Sequence, residues 1–221
     1  MTSFNAMYTL VGNATLQTLA MVFSATFFSL LLGFPLGILL CISDPSTGIS
    51  PKPIVFKVLT RIVNVLRSFP FIILMILIFP LSRIIIGTSI GTSASVIPLS
   101  IAAAPFVARI IETALKEVDP GLVQAARAIG STKLQIIFKV LIPEALPSLV
   151  AGITLTIINI IGYSAMAGAI GGGGLGDLAI RYGYQRFRTD IMIASVLVIL
   201  VLVELIQFFG SRISNSLMKK R

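Results

Sequence analysis

Long stretches without a single charge constrain this chain more than any other feature of it. They cover residues 16–42, 68–82, 84–108, 145–176 and 191–203. An α-helix rises about 1.5 Å per residue, so roughly 20 apolar residues cross the hydrocarbon core of a bilayer, and each stretch suits such a span. The second and fifth are short. Extended back through Ile62 past Arg67, and forward through Glu204 to Gly210, they complete a set of five. Only 11% of the residues are charged, where a soluble domain averages about a quarter; that is too few to cover a water-facing surface. The chain reads as an all-α integral membrane protein with spans at about 16–42, 62–82, 92–111, 147–170 and 190–210. The first stretch does not read as a cleaved signal peptide: its 27 residues exceed an h-region, no Lys or Arg precedes it and no Ala-x-Ala ends it.

Basic residues set the expected orientation, because Lys and Arg gather near span ends on the cytoplasmic side. With the N-terminus outside, the inner segments hold Lys52, Lys57, Arg61 and Arg67, then Arg109, Lys116, Arg127, Lys133 and Lys139, then Arg212, Lys219, Lys220 and Arg221. These are 13 of the 17 basic residues, leaving Arg83, Arg181, Arg186 and Arg188 outside. The expected topology is multi-pass in the cell (inner or plasma) membrane, N-terminus out and C-terminus in. The net charge of +9 follows from this topology and from contact with anionic headgroups, with no nucleic-acid partner required.

Two absences exclude chemistry. The chain has no His and a single cysteine, Cys41, so it builds no Ser-His-Asp triad, no His-ligated metal site and no internal disulfide. It is not expected to be an enzyme or to hold a metal or cofactor of its own.

Between the third and fourth spans lies QAARAIGSTKLQIIFKVLIPEALP, residues 124–147, with its own helix punctuation. Asp119 suits a cap, Pro120 the first helical position, and Gly130 the left-handed turn that ends a first short helix. Thr132 with Gln135 three residues on forms a capping box for a second helix, which Pro143 is expected to stop. The expectation is a hairpin over about 119–143, of two helices of about three turns each. Ala125, Ala126 and Ala128 give the first helix a smooth face, and Leu134, Ile137, Phe138 and Leu141 give the second an apolar stripe. Two readings stay open: a knob for a groove on a separate cytoplasmic protein, or a connector lying on headgroups or packed under its own spans.

The spacing of Ala125, Ala126, Gly130 and the run Val140, Leu141, Ile142, Pro143 resembles the EAA loop of ABC importer permeases, whose pattern is Glu-Ala-Ala, three residues, Gly, nine residues, Ile-x-Leu-Pro. Gln124 stands where the family usually has Glu, so any ion pair made by that glutamate is here a neutral hydrogen bond or absent. Three further stretches are similar to the methionine-uptake branch of the family: LRSFPFIILM at 66–75, AAAPFVARIIE at 102–112 and GYSAMAGAIGGGGLGDLAIRYGY at 162–184. The resemblance covers nearly the whole chain. It implies a type I ABC importer transmembrane domain over residues 12–210 with a basic tail at 211–221, in which the loop is a coupling hairpin docking into an ATPase subunit. Gln124, Ala125, Ala126, Gly130 and Pro143 are then the coupling residues. The implied assembly is a homodimer with two ATPase subunits, which consume ATP-Mg, and an extracytoplasmic substrate-binding protein of the lipoprotein kind.

Other motifs are weighed on their residues. GGGGLG contains a formal G-x-G-x-x-G at Gly171, Gly173 and Gly176, but it follows a membrane helix instead of a strand, and no G-x-x-x-x-G-K-[ST] occurs. It reads as a flexible outer segment leaving the fourth span. Gly33 with Gly37, and Gly168 with Gly172, are small-xxx-small pairs for close helix packing. Pro70, Pro80, Pro98 and Pro105 suggest kinked helices in spans two and three. Asn159, Tyr163 and Ser164, with Met166 beside them, are candidates for lining a pathway, although hydroxyls also bond back to their own helix. The resemblance implies that Met166 helps close a gate. Glu204 either reaches the inner interface or pairs with a base on another helix; a proton relay needs a second intramembrane partner, and none stands out.

The expected function is methionine import, L or D, by alternating access, with other small amino acids or peptides as the alternative cargo. A self-contained secondary transporter is the rival; it calls for internal repeats and paired intramembrane charges, which an odd number of spans and this charge distribution do not offer. A scaffold protein would need no polar pathway.

Overall fold

A computed structural model of the chain describes residues 2–219, with side chains from Met7 onward, so Lys220 and Arg221 of the basic tail lie outside it. The described residues form α1 (Thr2–Ser43), α2 (Pro53–Ser68), α3 (Phe71–Ile86), α4 (Thr92–Lys116), α5 (Pro120–Ala128), α6 (Lys133–Ile136), α7 (Ile142–Ala169), α8 (Gly174–Leu178) and α9 (Thr189–Met218). No strand occurs among them. Four helical stretches are long and apolar enough to cross a membrane, five if the bent pair α2 and α3 counts as one.

The expected second span is broken, not merely kinked. Pro70 lacks an N–H and pushes the residue before it out of helical conformation, so α2 ends at Ser68 and α3 begins at Phe71. Pro80, Pro98 and Pro105 are absorbed within α3 and α4.

Chain contacts divide the molecule into two units. The first comprises residues up to Ser29, Phe69–Ala103 and Thr156–Gln207. Its core gathers Met21, Met75, Leu99 and Ile160, all fully buried. Within it the glycine-rich segment is a tightly packed seam, which overturns the expectation of a flexible outer segment. A Cβ on Gly168 would lie 2.7 Å from the Gly176 carbonyl carbon, and one on Gly176 equally close to that of Ala165. The ends of α7 and α8 thus meet backbone to backbone. Gly173 and Gly174 take left-handed φ values of +77° and +78°, available to glycine at little cost. The N–H groups of Gly174 and Leu175 donate to Gln17 Oε1 and Thr18 Oγ1, each at 2.9 Å, so the start of α8 is satisfied by side chains of α1.

The second unit comprises Leu30–Ser68, Ala104–Leu155 and residues from Phe208 onward. Gly33 and Gly37 seat α1 on α4: a Cβ at Gly33 would lie 2.6 Å from Val107 Cβ, and one at Gly37 2.7 Å from the Ala108 carbonyl. Around this contact Val107, Ile111, Leu115, Leu141 and Leu149 close an apolar core that also takes in Ala126, Ile136 and Ile137 of the hairpin.

Candidate functional site

The hairpin in the second unit is built from local chemistry. Asp119 Oδ1 accepts from the Gly121 N–H at 2.7 Å, with Pro120 opening α5 where a missing N–H is harmless. At the other end Gly130 sits at φ +80°. Ser131 N–H donates to the Ala126 carbonyl and Gly130 N–H to that of Arg127, both at 3.0 Å, which is the Schellman closure. Thr132 and Gln135 make the reciprocal capping box, Thr132 N–H to Gln135 Oε1 at 2.8 Å and Gln135 N–H to Thr132 Oγ1 at 3.3 Å.

Beyond that point the structure departs from expectation. Pro143 does not stop the second helix. Instead α6 passes through a π-helical turn, Ile137–Leu141, directly into α7, with Ile142 N–H bonded to the Ile137 carbonyl. The wider turn gives a ring without an N–H a place in the first turn of α7, so the helix survives the proline. Nor is the apolar stripe wholly outward. Ile137 and Leu141 are buried in the core of the unit with Ala126, whereas Ala125 and Ala128 are exposed. Ile129, Leu134 and Phe138 are 83%, 67% and 60% exposed. One side of the hairpin is thus packed under its own helices, and the other is an exposed apolar patch.

Beneath the hairpin runs a chain of charges. Lys116 Nζ donates to Asp44 and to Glu112 (2.7 Å), Arg109 donates to Glu112 (2.6 Å), and the second Arg109 nitrogen reaches Asn64 at 2.7 Å. Glu112 is 2% exposed. Two acids and two bases cancel, and the buried carboxylate accepts from both cations, as a buried ion group must if it is to be stable. Burial works to raise the pKa of Asp44, but hydrogen bonds from Lys116 and from the Ser46 hydroxyl and N–H outweigh it and hold this carboxyl well below the usual carboxylate range. Lys133 Nζ donates to Ser50 Oγ at 3.0 Å, tying the start of α6 to the segment after α1. Gln124 lines a cavity of about 260 Å³ at the hairpin root, together with Lys116, Arg127, Ser46 and Thr47. Sequence reasoning singles out none of these charges as a group. The spacing of Arg109, Glu112 and Lys116 on one helix face is a usable signal; Asp44 and Asn64, far away in the chain, give none.

The pathway candidates belong to the first unit. Ser164 is buried and its hydroxyl donates to the Ile161 carbonyl of its own helix at 2.7 Å. Tyr163 stacks on Phe71 with ring centroids 4.0 Å apart. Asn159 is half-buried, and Met166 is 47% exposed. Glu204 is exposed on α9 and makes no ion pair with another described residue.

Apolar helices of membrane-spanning length, with a capped hairpin following α4, are the features of an integral membrane subunit. Residues 33–218 match the family of binding-protein-dependent transport system inner membrane components, and the chain belongs to that family. Within it, the chain is 49% identical over 201 residues to a Vibrio cholerae protein named as a probable D-methionine transport system permease, MetI, covering 91% of this chain and 89% of that one. The Escherichia coli D-methionine transport system permease MetI is 48% identical over 152 residues, 69% of this chain and 70% of its own. A solved chain from an inward-facing conformation of the MetNI methionine ABC transporter superposes with a TM-score of 0.94 at 44% identity, covering 96% of this chain and 98% of that one. The fold is that of a type I importer transmembrane domain.

Proposed function

We propose that this chain is the membrane-spanning subunit of an ATP-driven methionine importer. The observation that carries the reading is the hairpin itself: rigidly capped, fixed by its inner side to its own helices, and bare on its outer side, in a chain whose fold matches a methionine transporter subunit along almost its full length. The outer face, with Ala125, Ala128 and Ile129, is the docking surface for an ATPase subunit; Gln124, Ala126, Gly130 and Pro143 shape and seat it. Five spans enclose little on their own, so two copies related by a two-fold axis, with two ATPases and an extracytoplasmic binding protein, make the working unit. The N-terminus lies outside and the hairpin in the cytoplasm. ATP-Mg is bound and hydrolysed by the ATPases; this chain does no covalent chemistry. Closure of the ATPases draws the hairpins together, the helices rock, and the cavity opens to the docked binding protein. Asn159, Tyr163, Ser164 and Met166 belong to the part of α7 that borders the pathway and its gate.

The test is uptake of labelled L- and D-methionine into sealed vesicles holding the chain, its ATPase and its binding protein. Uptake is expected only with ATP and the ATPase present. Ile129→Asp, which puts a charge on the docking patch, is expected to cut uptake by about tenfold or more while leaving the detergent-solubilised permease folded. Uptake independent of the ATPase would return the secondary-carrier reading.

A further inference from the structure

In α2 charge runs along one side of a helix instead of gathering at its ends. Three rows divide the surface of this element, each repeating at three and four residues. Phe56, Leu59 and Val63 form the inner row, packed with Leu36 and Leu40 of α1 and Ala108 of α4. Ile54, Val58, Ile62 and Val65 form the second, 80%, 52%, 50% and 48% exposed. Beside it Lys57, Arg61, Asn64 and Ser68 form the third, also exposed.

A helix that crosses a bilayer keeps its charges near the two ends, because hydrocarbon solvates none in the middle. In α2 the apolar and basic rows lie side by side along most of the helix, the apolar one for about 16 Å. Each row meets its own medium along its whole length only when the helix axis lies parallel to the boundary between water and hydrocarbon. The basic row also has no acid near it in the chain. No Asp or Glu occurs between Asp44 and Glu112, a stretch that carries Lys52, Lys57, Arg61, Arg67, Arg83 and Arg109. Asp44 and Glu112 are taken by Lys116 and Arg109, and neither Lys57 nor Arg61 makes an ion pair with a described residue. Water solvates two such bases adequately, but it leaves the four apolar side chains beside them unburied. An anionic bilayer surface suits both rows at once, hydrocarbon against one and phosphate against the other.

We propose that α2 lies in the plane of the membrane as an interfacial helix that holds anionic phospholipids, with Ile54, Val58, Ile62 and Val65 set among the acyl chains and Lys57 and Arg61 at the headgroup phosphates. Asn64, in the same row as the two bases, accepts from Arg109 at 2.7 Å, so the lipid-holding side of α2 is tied to the ion chain of α4. The proposal rests on the chain's place in a membrane and on nothing else in the import reading.

Two spin-label measurements test it on the full-length permease in vesicles of phosphatidylcholine and phosphatidylglycerol. In the first, Ile54→Cys, Val58→Cys, Ile62→Cys and Val65→Cys are made singly in a Cys41→Ala background, labelled, and probed with oxygen and a water-soluble nickel chelate. All four labels are expected at one common depth just inside the headgroups, reached more by oxygen than by nickel. A depth that changes steadily along the row, by about 1.5 Å a residue, means a crossing helix; a row reached mainly by nickel faces water, and one reached by neither probe is covered by protein such as a second copy. Any of the three overturns the proposal. In the second, spin-labelled phosphatidylglycerol and phosphatidylcholine are compared at the protein surface. The wild type is expected to prefer phosphatidylglycerol about twofold or more, Lys57→Gln with Arg61→Gln to lose about half or more of that excess, and Arg186→Gln, an exposed base of the first unit, to keep it. A preference absent from the wild type, unchanged in the double variant or equally reduced by Arg186→Gln overturns the proposal. The labels leave both bases in place and the charge variant leaves the apolar row in place, so if one set fails to fold the other decides. Neither readout uses ATP or methionine, so a negative result here leaves the import reading standing, and a failure of uptake leaves this one.

Discussion

The two units both use close glycine contacts for cohesion in an apolar chain but differ in what they add to them. The first is joined by proximity: Gly168, Gly172 and Gly176 let backbones touch, and the few polar contacts, such as Gln17 and Thr18 on the start of α8, serve to satisfy buried amides. The second has glycine contacts too, at Gly33 and Gly37, but adds ions: Asp44, Lys116, Glu112 and Arg109 tie α4 to the segment after α1 through directional contacts in which one charge answers another, and Arg109 reaches on to Asn64 of α2. A glycine contact resists compression but specifies little about direction, because dispersion forces fall off evenly. An ion chain fixes geometry, and its Lys116 stands at the root of the hairpin, on the cavity that Gln124 and Arg127 also line. The contrast teaches that directional contacts here are concentrated at the root of the hairpin, where the proposed docking would need them.

Four substitutions break or sharpen this contrast. The largest effect is expected for Gly168→Leu, whose side chain meets backbone that cannot retreat; the first unit is expected to lose more than about 3 kcal/mol, or fail to assemble, in a denaturant titration of the detergent-solubilised protein. Glu112→Ala attacks the second unit. It leaves Arg109 without a carboxylate and Lys116 with Asp44 alone, and is expected to cost about 3 kcal/mol by the same titration. Thr132→Ala removes one half of the capping box and is expected to cost about 1 kcal/mol; because the hairpin is also held by Ile136 and Ile137, uptake is expected to fall less than stability alone would suggest. The smallest effect is one of pH. The pKa of Asp44 is lowered in the folded protein, so its contribution is fully present above the ordinary carboxylate value and is lost only as the medium turns more acidic than that. Between about pH 5 and pH 8 the Tm gap between wild type and Asp44→Asn is therefore expected to stay constant, narrowing only below about pH 4. A gap that changes near neutrality would mean that another group governs this base.

Legibility in the sequence tracks the range of the interactions concerned. Asp119, Pro120, Gly130, Thr132 and Gln135 act on residues no more than five positions away, and their roles are readable one by one. Pro143 misleads because its usual effect assumes α-helical hydrogen bonding, and the π-turn before it changes that rule. The glycine run suggests looseness because lack of a side chain permits both freedom and contact; only the positions of Ala165 and Ser95 decide between them. The partnership of Lys116 with Asp44, 72 residues apart, leaves no periodic trace. Ser164 shows the same limit at smaller scale, since a hydroxyl in a span looks identical whether it faces water or bonds to its own helix.

The π-turn at Ile137–Leu141 has a mechanical meaning. Because no loop separates the hairpin from α7, Lys133–Ala169 is one uninterrupted stem of 37 residues, about 55 Å from end to end. If the hairpin is pushed as proposed, a helix without a hinge loop passes torque on from its foot, and the widened coil there and Pro147 above it are the places where its hydrogen bonding departs from the regular pattern.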